Sequence, residues 1–210
     1  MTSIGASEKA TQNRVIKLFT EELGYTYLGD WKDRDGNSNV EDELLIKHLL
    51  AVGYNHAQIQ KAIYALKTEA HNPQRGLMEN NQRVYELLRY GVQVKEEAGK
   101  ATETVHLIDW DTPENNDFSI AEEVTLKGKH ERRPDLVIYL NGIAIVVIEL
   151  KNSRVGVGDG IRQLISNQKP EFNEWFFTTS QLLLAGNDSE GLRYGTTLIP
   201  EKFYLTWKEV

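Results

Sequence analysis

The chain has 210 residues, of which 40% are hydrophobic and 26% charged, as in ordinary globular proteins. No apolar run approaches the roughly 18 residues that a membrane span needs. The absence of cysteine excludes disulfides, thiolate zinc sites and cysteine nucleophiles, and with no signal-like start the cytoplasm is the expected compartment. Because the net charge is -7, any role on DNA has to be local, metal-assisted or helped by a partner.

The first half of the chain has the spacing of helices. Apolar side chains recur every three or four residues in four segments, which we predict as helices: 10–23, 40–52, 56–69 and 78–90. Ser7 and Gly24 are suited to cap the first of them. The segment 29–39 is polar and rich in turn residues. The pair formed by 40–52 and 56–69 predicts a helical hairpin, which can be an inserted element.

The second half has the patterns of strands. Period-two or continuous apolar runs predict strands at 92–95, 105–109, 120–126, 136–140, 143–150, 175–179, 182–185 and 203–207. A helix is predicted at 159–168 with Asp159 as its N-cap. The order indicates an α/β fold with a mixed central sheet flanked by helices, divided into a mainly helical part, 1–90, and a strand-rich core, 91–210, in a single compact unit.

Three ionisable residues are attached to the most apolar strands. Asp135 precedes one strand, and Glu149 and Lys151 end the next, two residues apart and therefore on one face. Asn141-Gly142 predicts the turn between the strands. A simple two-residue turn pairs Asp135 with Ile148, whereas a three-residue loop or one bulge pairs it with Glu149. We predict the loop or the bulge, because only then do the two carboxylates converge.

Converging carboxylates form a site for a hard divalent ion such as Mg2+, to which the Leu150 carbonyl can add a ligand. Such an ion polarises a phosphate, and the Lys151 ammonium can orient the attacking water and offset negative charge. The combination suits phosphodiester hydrolysis, although charged residues also commonly end a strand where it reaches water.

Longer blocks of sequence surround these residues. Pro134-Asp135 with Glu149-x-Lys151 resembles the PD-(D/E)xK nuclease motif. The blocks that resemble the N-terminal region of the type I restriction enzyme R subunit are TQNRVIKLF, ELGYTYLG, LLRYGV, VHLIDWDTPENNDFSIAEEVTL, RRPDLVIYLNGIAIVVIELKNS and WFFTTSQLLLAGNDSEGLRYGTT. The resemblance covers nearly the whole chain and implies a restriction-endonuclease-like fold.

The resemblance also implies a function. It implies a Mg2+-dependent endonuclease domain that cuts double-stranded DNA after translocation by an ATP-driven motor, and partners that include the methyltransferase and specificity subunits. In the family the motor lies downstream, so a chain that stops at Val210 is expected to be a nuclease fragment without it. The segment GVGDG at 156–160 lacks the Lys and Ser or Thr of a P-loop, so ATP is expected only for the absent motor.

DNA contacts are expected beside the site. Related nucleases commonly carry Gln-x-x-x-Tyr on the helix after the catalytic strand; here Gln163 stands at the expected distance, but Asn167 replaces the tyrosine. The basic run Lys129, Arg132 and Arg133 can follow the phosphate backbone into the site.

Several alternatives stay open at this point. Alternation aims only one of Glu122 and Glu123 at a given face, and either can be a further acid near the metal. Glu21 and Glu22 are considered because many such nucleases place an acid on the first helix. Two other functions also fit the acidic charge: a nuclease-like DNA-binding or assembly module that does not cut, and a protein-interaction domain centred on the helical pair.

Overall fold

A computed structural model describes residues 8–95, 99 and 101–208. The helices are α1 (Glu8–Lys17), α2 (Asp42–Val52), α3 (His56–Ala70), α4 (Leu77–Tyr90) and α5 (Val157–Asn167). The strands are β1 (Thr26–Asp30), β2 (Val92–Lys95), β3 (Thr102–Val105), β4 (Phe118–Glu122), β5 (Leu136–Leu140), β6 (Ile143–Leu150), β7 (Leu182–Asn187), β8 (Gly191–Gly195) and β9 (Leu205–Thr206). None of the helices described is long and apolar enough to cross a membrane.

The centre of the fold is a seven-stranded sheet in the order β1-β4-β5-β6-β7-β8-β9. Two neighbouring pairs are parallel, β1 with β4 and β6 with β7, and the other pairs are antiparallel. β2 and β3 form a separate antiparallel ribbon. This confirms the predicted α/β class with a mixed sheet flanked by helices, of the restriction-endonuclease-like kind.

Helices cover both faces of the sheet. Val147 of β6 packs with α5 in one apolar cluster, whereas its neighbour Ile148 packs on the other face with partly buried side chains of α1. The continuous apolar run of β6 follows from this double cover. α2, α3 and α4 form a third cluster with β2, β3 and the turn between β5 and β6.

The turn between β5 and β6 is fixed by Asn141 and Gly142. Both have positive φ, 53° and 86°, as a type I′ hairpin turn requires. The Asn141 amide donates to Leu107 O at 2.9 Å and to Asn116 Oδ1 at 2.8 Å, and its oxygen accepts from the Asp117 N–H. These bonds tie the segment 107–117 to the end of the hairpin that lies away from Asp135.

The elements at 40–52, 56–69, 78–90, 92–95, 136–140, 143–150 and 182–185 are confirmed within two residues. The first helix is α-helical only to Lys17 and continues as a π-helical turn, Leu18–Glu22; the proposed Ser7 cap lies outside the described residues. β4 ends at Glu122, earlier than predicted, and β3 lies before most of the predicted segment 105–109.

Two other expectations are wrong, and two strands were missed. Residues 175–179 are not a strand: Glu174–Thr178 form a 3-10 helix, in which the buried Phe176 and Phe177 supply an apolar run that resembles a strand. Asp159 is not the N-cap of α5, because the helix begins after Gly156 and Asp159 pairs with Arg162. β1 and β8 were not predicted, because β1 is a mostly exposed edge strand and β8 is a half-exposed strand with a glycine at each end. The division of the chain at residue 90 stays a prediction.

Candidate nuclease site

A bulge in the hairpin brings the two carboxylates opposite each other. The two-residue turn pairs Leu140 with Ile143, but the register shifts after Tyr139, so that Leu136 pairs with Ile148. Continuing this register by one residue places Asp135 beside Glu149. The predicted bulge is confirmed, and it lies next to Ile145, where β6 carries the extra residue.

Each carboxylate keeps one oxygen that accepts no hydrogen bond from the residues that the structure describes. The Leu150 N–H donates to Asp135 Oδ2 at 2.6 Å, and Lys151 Nζ donates to Glu149 Oε1 at 2.7 Å. Glu149 is 1% exposed, and its Oε2 is buried without a hydrogen-bond partner in the described part of the chain. A buried carboxylate oxygen with no donor is costly, which indicates a place for a ligand that the chain alone does not supply.

Burial and nearby acids raise the pKa of both carboxyl groups. Burial raises the pKa of Asp135 to about 6, although the Leu150 N–H and Lys151 lower it. Burial and the charge of Asp135 raise the pKa of Glu149 to about 8, against the lowering effect of Lys151. Burial lowers the pKa of Lys151, but Glu149 and Asp135 outweigh it, so the ammonium stays charged. Ionising both acids together is unfavourable in this setting, so a cation bound between them would stabilise the doubly ionised pair.

The donor set fits Mg2+. The orphaned Glu149 Oε2 and the second oxygen of Asp135 are hard oxygen ligands, the kind that Mg2+ takes from proteins while keeping several waters. Within the described ranges, no group of three or more His, Asp or Glu side chains is arranged as a metal cage. The described residues therefore supply two carboxylates as ligands for a divalent ion, which would keep water in its other positions. The Leu150 carbonyl stays a predicted third ligand.

The predicted DNA contacts surround this site unevenly. Lys129 is exposed, whereas the Arg132 guanidinium lies 3.7 Å from the centre of the Phe172 ring. Arg133 Nε pairs with Glu123 Oε2 at 2.8 Å. Gln163 is half-buried on α5.

α5 approaches the ends of β6 and β7 closely at Gly160. A Cβ on Gly160 would stand 3.3 Å from Ala185 Cβ and 3.5 and 3.7 Å from the Cγ atoms of Lys151 and Glu149. Asn167, which stands where a tyrosine was expected, is fully buried, and its two polar side-chain atoms have no partner among the described residues. It therefore points into the core and is not on the surface where a substrate binds.

Glu8 and Glu123 are acids near the site that the sequence did not single out clearly. Glu8, in the first turn of α1, contributes to the raised pKa of both Asp135 and Glu149. The prediction began the helix at residue 10 and considered Glu21 and Glu22, which are exposed. The spacing of Glu8, Gln12 and Val15 at i, i+4 and i+7 is the signal that could have found it.

Glu123 follows the last residue of β4 and has a φ of 52°, a left-handed conformation that costs energy in a residue other than glycine. Its N–H donates to Asp135 O at 2.8 Å, and its charge raises the pKa of Asp135. Strand alternation predicts that only one of Glu122 and Glu123 points to a given face. That expectation fails because β4 ends between the two residues, and both acids lie near Asp135.

Arg154 is a cation that the sequence analysis missed. It is exposed in the loop after Lys151 and forms no ion pair with any residue the structure describes. Asn187 and Ser189 hold this loop by donating to the carbonyls of Val155 and Ser153, at 2.8 and 3.1 Å. Arg162 and Arg133, by contrast, are already paired with acids.

Comparison with known proteins identifies the family. The family model described as "Type I restriction enzyme R protein N terminus" matches residues 5–202. The chain is 28% identical over 134 residues to the "Putative type I restriction enzyme MjaIXP endonuclease subunit" of Methanocaldococcus jannaschii, covering 60% of this chain and 13% of that protein. It is 29% identical over 140 residues to the "Type I restriction enzyme HindI endonuclease subunit" of Haemophilus influenzae, covering 64% of this chain and 13% of that protein. This chain thus spans only a small part of the length of these curated relatives. With a match over most of its length, the chain belongs to the family of type I restriction enzyme R protein N-terminal regions.

Proposed function

We propose that this chain is the DNA-cleaving domain of a type I restriction enzyme R subunit, and that it hydrolyses phosphodiester bonds of double-stranded DNA with Mg2+ held by Asp135 and Glu149. The observation that carries the proposal is the buried Glu149 Oε2, which has no donor in the described part of the chain and lies beside a second carboxylate and a charged lysine. A domain that only bound DNA or other subunits would gain nothing from this costly arrangement.

Each residue has a distinct part in the chemistry. Hydrolysis adds one water across a P–O ester bond, so the water oxygen bonds to phosphorus and a proton ends on the departing sugar oxygen. A divalent ion, when bound, supplies Lewis acidity toward the phosphate and the water. The Lys151 ammonium donates a hydrogen bond to that water and offsets the negative charge that develops on the phosphate. The Leu150 N–H holds the Asp135 carboxylate in place, so the site needs little rearrangement before reaction.

Arg154 is the side chain best placed to bind the DNA backbone. It has no ion-pair partner among the described residues, and the β7–β8 turn holds its loop next to the end of β6. We keep Lys129 and Gln163 as further proposed DNA contacts, whereas Arg133 is neutralised by Glu123. A net charge of -7 agrees with weak binding of DNA by the chain alone.

The remaining parts of the reaction belong to the complex. Relatives several times longer than this chain are named as endonuclease subunits, so we assign ATP-driven translocation to the rest of such a subunit. Target recognition and methylation are assigned to the specificity and methyltransferase subunits.

Cleavage by the assembled enzyme tests the proposal. Asp135→Ala should abolish DNA cutting and leave the DNA-dependent ATPase within about twofold of the unsubstituted enzyme. Glu41→Gln is the matched control: Glu41 is a buried carboxylate bound by Arg34, remote from the site, and cutting should persist. Normal cutting by the Asp135→Ala enzyme would show that this domain is a non-cleaving module.

A further inference from the structure

Glu122, on the face of the sheet that α1 covers, is the centre of a buried polar network. The residue is 8% exposed at the end of β4. Lys9 Nζ donates to its Oε2 at 2.6 Å and Gln12 Nε2 donates to the same oxygen at 2.8 Å, while the Tyr27 hydroxyl donates to Oε1. Three donors from α1 and β1 thus converge on one carboxylate.

The network reaches the backbone of Asp135. Gln12 Nε2 also lies 3.4 Å from Asp135 O, and Glu122 pairs with Leu136, the next residue of the neighbouring strand. The N–H of Glu123 donates to the same Asp135 carbonyl at 2.8 Å. α1 and the end of β4 therefore hold the peptide from which the Asp135 carboxylate projects.

α1 depends on this network for its position. The buried residues of α1 are Thr11 and Gln12, both polar, and its apolar side chains Val15 and Ile16 are only partly buried. The first turn, which carries Glu8, precedes these apolar contacts, so the polar contacts of Lys9 and Gln12 fix it. The apolar contacts of α1 begin only at Val15, and Glu8 at the start of the helix lies almost two turns before it, so these contacts alone cannot orient the first turn.

We propose that Glu122 is a positioning residue of the nuclease site: through Lys9 and Gln12 it fixes the first turns of α1 against the sheet, and through Gln12 it holds the Asp135 backbone in register. The inference rests on the proposed function. Glu122 touches neither metal nor substrate in this role. Its contribution is to the geometry of the residues that do, and outer contacts of this kind support the affinity of a metal site.

The experiment measures Mn2+ affinity of the purified chain by electron paramagnetic resonance, well below the melting temperature of each variant. Glu122→Gln removes the charge that holds Lys9 and should weaken Mn2+ binding about tenfold. Glu41→Gln makes the same chemical change at an equally buried carboxylate with an arginine partner, and its Mn2+ affinity should stay within twofold. Both variants are expected to melt at a lower temperature, so stability alone does not separate them.

A second variant tests the inference even if the Glu122→Gln protein does not fold. Gln12→Met keeps the volume and the Lys9–Glu122 pair but removes the link to the Asp135 carbonyl, and should weaken Mn2+ binding severalfold. Equal Mn2+ affinities for Glu41→Gln and for the folded variants of Glu122 and Gln12 would overturn the inference and leave the proposed function standing. An unsubstituted chain that binds no Mn2+ at Asp135 and Glu149 would overturn both.

Discussion

Replacing Glu149 by glutamine should stabilise the metal-free protein. Its carboxyl pKa rises from 4.5 to about 8 on folding, because burial and Asp135 disfavour the charge. A raised folded-state pKa contributes stability below the unfolded value, and that stability is lost as the pH rises through the folded value. From pH 4.5 to 7 the loss is about 3 kcal/mol, at roughly 1.4 kcal/mol per unit. Glutamine avoids this loss, but Lys151 loses its partner, so we expect a net gain of about 1–3 kcal/mol at pH 7.

Urea unfolding in EDTA at pH 5 and pH 8 measures this gain. The stability difference between Glu149→Gln and the unsubstituted chain should be small at pH 5 and largest at pH 8. Glu41→Gln is the control, because Glu41 accepts hydrogen bonds from Arg34 and the Ser38 N–H and should lose stability at both pH values. Excess Mg2+ should stabilise the unsubstituted chain and not Glu149→Gln. A Glu149→Gln chain that is less stable than the unsubstituted one at pH 8 would refute the reasoning.

Three further substitutions test other parts of the structure. Gly160→Ala should leave the free energy of unfolding within about 1 kcal/mol in urea unfolding, because the gain in helix propensity offsets the tight 3.3 Å contact of the new Cβ with Ala185; a loss of about 3 kcal/mol or more would contradict this packing of α5. Asn141→Ala should cost about 2–4 kcal/mol in urea unfolding, because three partners, two of them on buried residues, each lose a hydrogen bond, and a cost under about 1 kcal/mol would show that the turn is not fixed this way. Arg154→Ala should lower the slope of log affinity for duplex DNA against log salt by about one, whereas Arg162→Ala, whose charge is already paired, should not change it; equal slopes for both would remove Arg154 as a phosphate contact.

The catalytic hairpin could be predicted in detail from the sequence because several signals agreed there. Asn141-Gly142 predicted a tight turn, and the apolar runs predicted both strands. The bulge was predicted because only a bulge or a longer loop places Asp135 opposite Glu149. Local and tertiary preferences point to the same structure at this place, which is why the register could be read without coordinates.

Elsewhere the deciding interactions are not local in sequence. β1 is a polar segment that becomes a strand only because it pairs with β4, about 90 residues later in the chain. Glu122 is held by α1 and β1, and no local pattern reveals that Lys9, Gln12 and Tyr27 converge on it. The segment at 174–178 was misread because its aromatic residues are buried whether the backbone is a strand or a 3-10 helix.

A metal soak tests the central claim most directly. Crystals of this chain soaked in Mn2+, as a stand-in for Mg2+, should show an anomalous peak between Glu149 Oε2 and the free oxygen of Asp135, with Lys151 Nζ beside it. No peak at that position, with the two carboxylates on opposite faces of the sheet, would contradict the assignment of this site as the nuclease centre.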